Sequence, residues 1–282
     1  MQGKHVLVDY HVHTPYCGHA QGKIIDYIES GIAAGLSEIG FADHLGRYYL
    51  SRSQKRRYWD WGMDEKACSR YFEELAGLRD VYNDRIAIKI GMEVDFIAGA
   101  EDIAGQLIEK FPCDFILGSI HCLPEFGWRH LAETSLNDTS VMYAAYFTQA
   151  CECVKSGLFN SLAHLDFIWR YVKWPKRKSI DVYPMIHDAV SCAAKNDCCI
   201  EINANGYLWS QLYTIRQGDP FAYMIKSINE ENVAVTIGSD AHSPSHVAKL
   251  FPQLIEYLGT EGIRQVEVLT KKKRKSVTLK TG

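Results

Sequence analysis

The sequence predicts an α/β fold in which seven βα units close into a TIM-like barrel. Three observations carry that prediction. Short β-branched or apolar runs alternate with longer segments of helical period along the 282 residues. No linker, low-complexity tract or composition break interrupts them, so residues 1–282 are expected to form one domain, with 276–282 as a tail free to fray. Residues of metal-ligand type also recur where nearly every strand should end, and a barrel of parallel strands brings all those ends to one mouth.

The first strand is expected over Val6 to His11, followed by His13 and His19 in a turn. Ile24, Ile25, Ile28, Ile32 and Leu36 mark one face of the first helix, and Gly35 lies at its end. A second strand runs from Glu38 to His44. Residues 45–62 have no clear period and read as a long loop, in which Arg47, Arg52, Lys55, Arg56 and Arg57 stand among Tyr48, Tyr49, Tyr58, Trp59 and Trp61. A helix carrying Phe72, Leu75, Leu78 and Tyr82 leads to the strand Ile86 to Asp95, and the helix Glu101 to Phe111 leads to the strand Asp114 to His121. Further strands are expected over Ser161 to Asp166, Cys199 to Asn205 and Val233 to Asp240, separated by helices near 139–156, 181–196 and 220–231. Ser243 and Pro244 supply an N-cap and a first-turn proline for the next helix. The last segment, from Gly262, holds a candidate edge strand and the basic run Lys271 to Lys275, which reads as a solvated tail.

Composition narrows the function classes. A formal charge of −3 argues against a general nucleic-acid binder. No run of ~18 apolar residues is present, so no membrane partner is expected. The nine cysteines are odd in number and lack C-x-x-C pairs, which suggests reduced, buried thiols in a cytosol rather than a disulfide framework.

The histidines are where the chemistry lies. In an extended segment residues i and i+2 share a face, so His11 and His13 can present two imidazoles to one ion. Taken alone, such a pair could equally be a core histidine beside a loop histidine. Its companions argue otherwise: Asp43 and His44 end strand two, Glu93 sits late in strand three, His121 ends strand four, His164 and Asp166 lie in strand five, and Asp240 and His242 close strand seven. With His19, the histidines, Glu93 and Asp240 offer more ligands than one ion needs, which points to two or three divalent ions. Glu93 could bridge two of them. Clustered ions suit phosphoester hydrolysis, because they activate water and neutralise charge on the leaving oxygen.

The motifs His11-Val12-His13, Ala42-Asp43-His44, Gly91-Met92-Glu93, Gly118-Ser119-Ile120-His121, Ala163-His164-Leu165-Asp166 and Gly238-Ser239-Asp240-Ala241-His242 resemble, in order, those of the PHP (polymerase and histidinol phosphatase) superfamily. The opening DYHVHTPYCGHA and the Glu201-Ile202-Asn203 strand are similar to its histidinol-phosphatase branch. The resemblance implies a distorted (β/α)7 barrel with a site of up to three ions, zinc, manganese or iron. It would place one ion with His11, His13, Glu93 and Asp240, a second with Glu93, His121 and His164, and a third with His19, His44 and His242. It also implies a small phosphorylated substrate, L-histidinol phosphate; Asp43, Glu93 and Asp240 are the carboxylates expected to act in catalysis. A different phosphomonoester, a nucleotide or a nucleic-acid end remains the alternative substrate, and the complete ligand set argues against a metal-binding scaffold without activity.

Several assignments stay open between two meanings. Asp43 is either a proton donor or anchor for a substrate amine, or a hydrogen-bonding residue at a strand end. Arg170 is either a bidentate phosphate ligand or a surface arginine. Relatives of the histidinol-phosphatase branch follow the Glu-x-Asn strand with a basic residue, whereas this chain reads Ala204-Asn205-Gly206-Tyr207; Arg216 could replace it. Tyr207, Trp209 and Tyr213 suit either a planar substrate portion or packing. The loop 45–62 is either a lid or solvated. His5, His130, His187 and His246 match no motif and read as structural or surface residues.

Overall fold

A computed structural model describes residues 6–55, 61–134, 139–175, 181–212 and 219–280, the last two residues of the fourth segment by backbone alone. Seven parallel strands lie in sequence order: β1 (Val8–Val12), β2 (Glu38–His44), β3 (Ala87–Asp95), β4 (Phe115–Ser119), β5 (Ser161–Leu162), β6 (Cys199–Asn203) and β7 (Val235–Gly238). A bridge between Val12 and Ala241 brings the last strand's end back to the first, with the His13 N–H donating to the Ala241 carbonyl at 2.9 Å. The sheet is thus a nearly closed barrel. Buried residues run without interruption along β1, β4, β6 and β7, as expected of parallel strands covered on both faces.

Helices between the strands supply the outer layer, and local chemistry sets where they begin. The Asp26 carboxylate accepts the Lys23 N–H at the start of α1 (Ile24–Ala33). Asp64 caps α2 (Glu65–Val81) by accepting from Ala67 at 2.8 Å. The helices α3 (Glu101–Ile108), α4 (Ser140–Lys155) and α5 (Tyr183–Lys195) continue the alternation. Strand β6 then runs straight into α6 (Ala204–Leu212), and Asp219 and Pro220 open α7 (Pro220–Glu230). Among the described residues, no helix is long and apolar enough to cross a membrane.

Four elements differ from the reading of the sequence. Strand β5 spans two residues rather than six, because His164 adopts a φ of 28° and the chain turns into the short helix Phe167–Tyr171. Strand β7 stops at Gly238, since Asp240 is left-handed at φ 52°. Ser243 opens only the 3-10 turn Pro244–His246 and its side chain makes no capping bond; the helix α8 (Phe251–Thr260) starts later, with Pro252 in its first turn.

The fourth difference is the C-terminal segment, expected as a solvated tail. It is an antiparallel hairpin, β8 (Gln265–Thr270) with β9 (Lys273–Thr278), and Leu279 beyond it is buried. The hairpin covers the N-terminal end of the barrel. Leu269 donates to Tyr10 Oη at 2.9 Å, Lys272 donates its backbone N–H to the Asp114 carbonyl at 2.7 Å, and Lys280 pairs with Val6 at 2.8 Å. The opposite end, where the strands finish, is left for the side chains of the site.

Candidate metal centre

His11 on β1 and His13 just past its end both turn into the mouth of the barrel and are wholly buried. The Nδ1 of His11 lies 2.7 Å from Glu201 Oε1. A carboxylate only accepts, so Nδ1 carries a proton toward Glu201 and Nε2 is the nitrogen left to face the rest of the site. That Nε2 is 3.1 Å from His13 Nε2, 3.2 Å from Glu93 Oε2 and 3.6 Å from Asp240 Oδ1. His13 Nε2 is in turn 3.1 Å from Asp240 Oδ1. Two imidazole nitrogens and two carboxylate oxygens converging on one point suit a divalent cation of the zinc type.

The other oxygen of Glu93 faces a second set. Its Oε1 is 3.1 Å from His164 Nε2 and 3.3 Å from His121 Nε2. His121 Nδ1 sits 2.6 Å from Asp95 Oδ1, which again holds the proton on the outward nitrogen. Asp95 is itself gripped by Arg47, whose Nε and Nη2 donate to Oδ2 at 2.8 and 2.7 Å. Arg47 is 1% exposed, so it belongs to the scaffold of the centre and not to a solvated lure for substrate. Its guanidinium also stands 5.2 Å from the ring of Trp61.

His19 and His242 form a third group, with Nε2 atoms 2.9 Å apart. His44 lies between groups: its Nδ1 is 3.0 Å from Glu93 Oε2, while its ring stacks 5.3 Å from that of His19. Ring nitrogens of His13, His44 and His242 lie within 4.8 Å of one another, and so do the ligand atoms of His44, Glu93 and His121. The register explains the arrangement, since His44 and Glu93 are direct neighbours across β2 and β3.

The electrostatics favour a cation. Burial alone would raise the Glu93 and Asp240 carboxyls, but surrounding histidines hold both well below the ordinary range, His44 and His11 foremost for Glu93 and His11 and His13 for Asp240. Burial would likewise lower His11 and His13, yet the carboxylates around them raise both well above 6.5, so without an ion the centre gathers protons. His44 and His242 are pushed down to about 4 and about 3, chiefly by burial, which keeps their lone pairs available.

Above these residues opens a cavity of about 460 Å³ with Glu93 and Asp240 on its floor and Trp61, His130, Arg170, Tyr171 and Trp209 in its walls. Arg170 is thus brought to the site, its guanidinium 5.1 Å from the Trp209 ring and 5.0 Å from that of Tyr171. Arg216 and Tyr213 lie outside the described residues, as do Arg56, Arg57, Tyr58 and Trp59 of the loop. Tyr207 packs between Phe221 and Tyr257.

Of the two meanings left open for Asp43, the geometry favours the hydrogen-bonding residue at a strand end. Its side chain is fully buried behind His13, accepting the Thr14 N–H at 2.7 Å and the Thr14 hydroxyl, with Oδ1 3.4 Å from His13 Nδ1. It is not among the residues that line the cavity and instead sits against the His13 ring.

The residues missed from the sequence are Glu201, Asp95 and Arg47, which hold His11 and His121 in place directly or through one another, and His130, which lines the cavity. Two of them carried a signal. Asp95 follows Glu93 by two residues, the same alternation that joins His11 to His13, and Glu201 sits two before Asn203.

Glu201 holds two of the site histidines at once, since Oε2 also accepts the His164 N–H at 2.8 Å. Glu201→Gln is expected to weaken zinc binding about 10- to 100-fold, the usual cost of losing such support, with the fold retained. Competition with a chromogenic chelator measures it; an unchanged dissociation constant removes Glu201 from the centre. Gly238→Ala should act through the same pair, because a methyl there would overlap the Glu201 carboxylate and His11 Cβ.

Comparisons with known proteins place this geometry in context. Residues 9–205 match the family model described as PHP domain. A protein of Deinococcus radiodurans named probable histidinol-phosphatase is 28% identical over 268 residues, covering 92% of this chain and 95% of that one. The histidinol-phosphatase of Lactococcus lactis is 25% identical over 243 residues, covering 83% and 84%. The crystal structure of a Lactococcus lactis histidinol phosphate phosphatase, complexed with zinc, L-histidinol and phosphate, superposes with a TM-score of 0.76 at 20% identity, covering 95% of this chain and 98% of that one.

Proposed function

The chain belongs to the PHP domain family, and from that premise we propose that it is a metal-dependent phosphomonoesterase that releases phosphate from L-histidinol phosphate. One observation carries the reading. The two oxygens of the single carboxylate Glu93 face two separate sets of histidine nitrogens at 3.0–3.4 Å, so adjacent cations would share it. His11, His13, Glu93 and Asp240 would hold one ion and Glu93, His121 and His164 a second, with His19, His44 and His242 available to a third. Bound there, zinc, manganese or iron would lower the pKa of water and offset charge on the phosphoryl oxygens.

The chain's own residues do the rest. Arg170 stands at the cavity wall, where its planar fork can take two phosphoryl oxygens. Tyr171 and Trp209 flank it with aromatic faces for a planar ring of the substrate. His130 is neutral at pH 7, pushed down to about 4 by burial and by the charge of His121. Its Nδ1 accepts the Ala132 N–H at 3.1 Å, so the ring proton sits on Nε2 as a neutral donor. Trp61, 4.6 Å from the His44 ring, limits water over the metal positions. The nine unpaired cysteines fit a cytosolic enzyme.

A second substrate is favoured by one feature: β6 leads directly into α6, whose residues 204–212 contain no basic side chain to meet a phosphate. Rates on a panel of phosphomonoesters decide between the two. We expect kcat/KM for L-histidinol phosphate above ~10⁴ M⁻¹s⁻¹ and well ahead of the panel. Turnover no faster than that of a generic ester would leave the metal chemistry standing and remove the substrate. Arg170→Ala should lower kcat/KM about 10- to 100-fold, as loss of a charged hydrogen-bonding partner does; an unchanged value would show that Arg170 stays in solvent during turnover.

A further inference from the structure

We propose that Cys17 is itself a metal ligand, joining His19 and His242 at the third ion position and making that position selective for zinc. The proposal rests on the metal-centre reading above and adds a residue to it. Cys17 is 1% exposed, and its sulfur lies within 4.8 Å of ring nitrogens of both His19 and His242.

The local fold places it there. Thr14 Oγ1 accepts the Tyr16 N–H at 3.3 Å and the Thr14 carbonyl accepts the Cys17 N–H at 3.1 Å, which winds Pro15–Cys17 into one 3-10 turn. Gly18 then reverses the chain at a φ of 86°, a conformation glycine adopts without strain. His19 consequently returns to the side on which Cys17 points. The Ala20 N–H reaches the sulfur at 3.3 Å, a bond that supports negative charge on it.

A second observation concerns His13. It is wholly buried, and the nearest acceptor to its Nδ1, Asp43 Oδ1, stands at 3.4 Å without the alignment of a hydrogen bond. His13, Cys17 and the Asp43 carboxylate also bring their ligand atoms within 4.8 Å of one another. A buried imidazole nitrogen without an aligned partner is costly, and so is a thiol packed against a carboxylate. A cation held by Cys17 beside them relieves the second. On binding, the S–H bond breaks, a sulfur–metal bond forms and the proton leaves to solvent. A thiolate is a soft ligand, so the position would prefer zinc to manganese or magnesium.

Cobalt(II) serves as the probe. The cobalt-loaded wild-type protein should show a thiolate-to-cobalt charge-transfer band in the near ultraviolet. In Cys17→Ser that band should vanish while the other cobalt ions stay bound and the far-ultraviolet circular dichroism is unchanged. A second measurement does not depend on a variant: zinc should slow alkylation of Cys17 by iodoacetamide about tenfold or more, read by peptide mass spectrometry, whereas magnesium should not. Cobalt bound by the wild type without the band, a band that persists in Cys17→Ser, or equal alkylation with zinc and magnesium would each overturn the assignment of Cys17 alone. A wild-type chain that takes up no cobalt would overturn the metal centre with it.

Discussion

Glu93→Gln is expected to lower kcat by at least about 10³-fold and to empty the two inner metal positions, a larger effect than the 10²–10³ that follows loss of one preorganised donor. The residue is 1% exposed and both its oxygens are engaged: Oε2 stands 3.0 to 3.4 Å from His11, His13 and His44, and Oε1 3.1 to 3.3 Å from His121 and His164. Glutamine keeps the shape but replaces one oxygen with an N–H donor group and removes the charge. Water cannot compensate at that depth. Five histidines would then face a neutral amide, and any ions between them would repel one another without the shared anion. Metal analysis together with phosphate release checks this; a variant that kept two ions and a tenth of the activity would refute the role of Glu93 as a bridge.

The second large effect is at Asp240, where asparagine and alanine should separate chemistry from backbone. Asp240 has a φ of 52° and brings Oδ1 to 3.1 Å from His13 Nε2. Asparagine tolerates the left-handed region, so Asp240→Asn should fold normally while kcat/KM falls about 10²- to 10³-fold from the lost charge. Asp240→Ala should lose as much activity and also about 1 kcal/mol of stability, because a methyl side chain pays the steric cost of that conformation without a local hydrogen bond. Paired melting curves and steady-state rates distinguish them. Equal melting temperatures would show that the backbone here carries no strain.

The ring of histidines and carboxylates was legible because it depends on one repeating rule. Strands of period two that end at a common mouth bring His11 with His13, and register alone then sets His44 beside Glu93. What was not legible depends on contacts between distant segments. Asp43 and Glu201 are both carboxylates on barrel strands, and only the closed barrel shows that each lies behind a histidine, away from the cavity. Arg47 counted as one more cation in a basic loop until its pairing with Asp95, 48 residues away, came into view. His130 is placed beside His121 by a hairpin whose strands have two residues each, too short to leave any periodic signal.

The C-terminal hairpin was hidden for a different reason. Its turn is made by Lys271 and Lys272, with φ of 50° and 60°, where a tight hairpin ordinarily uses asparagine and glycine. The usual punctuation is missing, and the lysines read instead as a charged tail. The departure at His164 is of the same kind, since a non-glycine residue in the left-handed region ended β5 early without any glycine or proline to mark the place.

The most direct test of the whole account is to strip the protein with a chelator, titrate zinc back in and follow phosphate release from L-histidinol phosphate at each step. The account predicts no release by the stripped chain and a rise that completes at two to three equivalents of zinc, the number that nine candidate ligands could hold. Full activity in the stripped protein, or none at any zinc, manganese or iron loading, would contradict it.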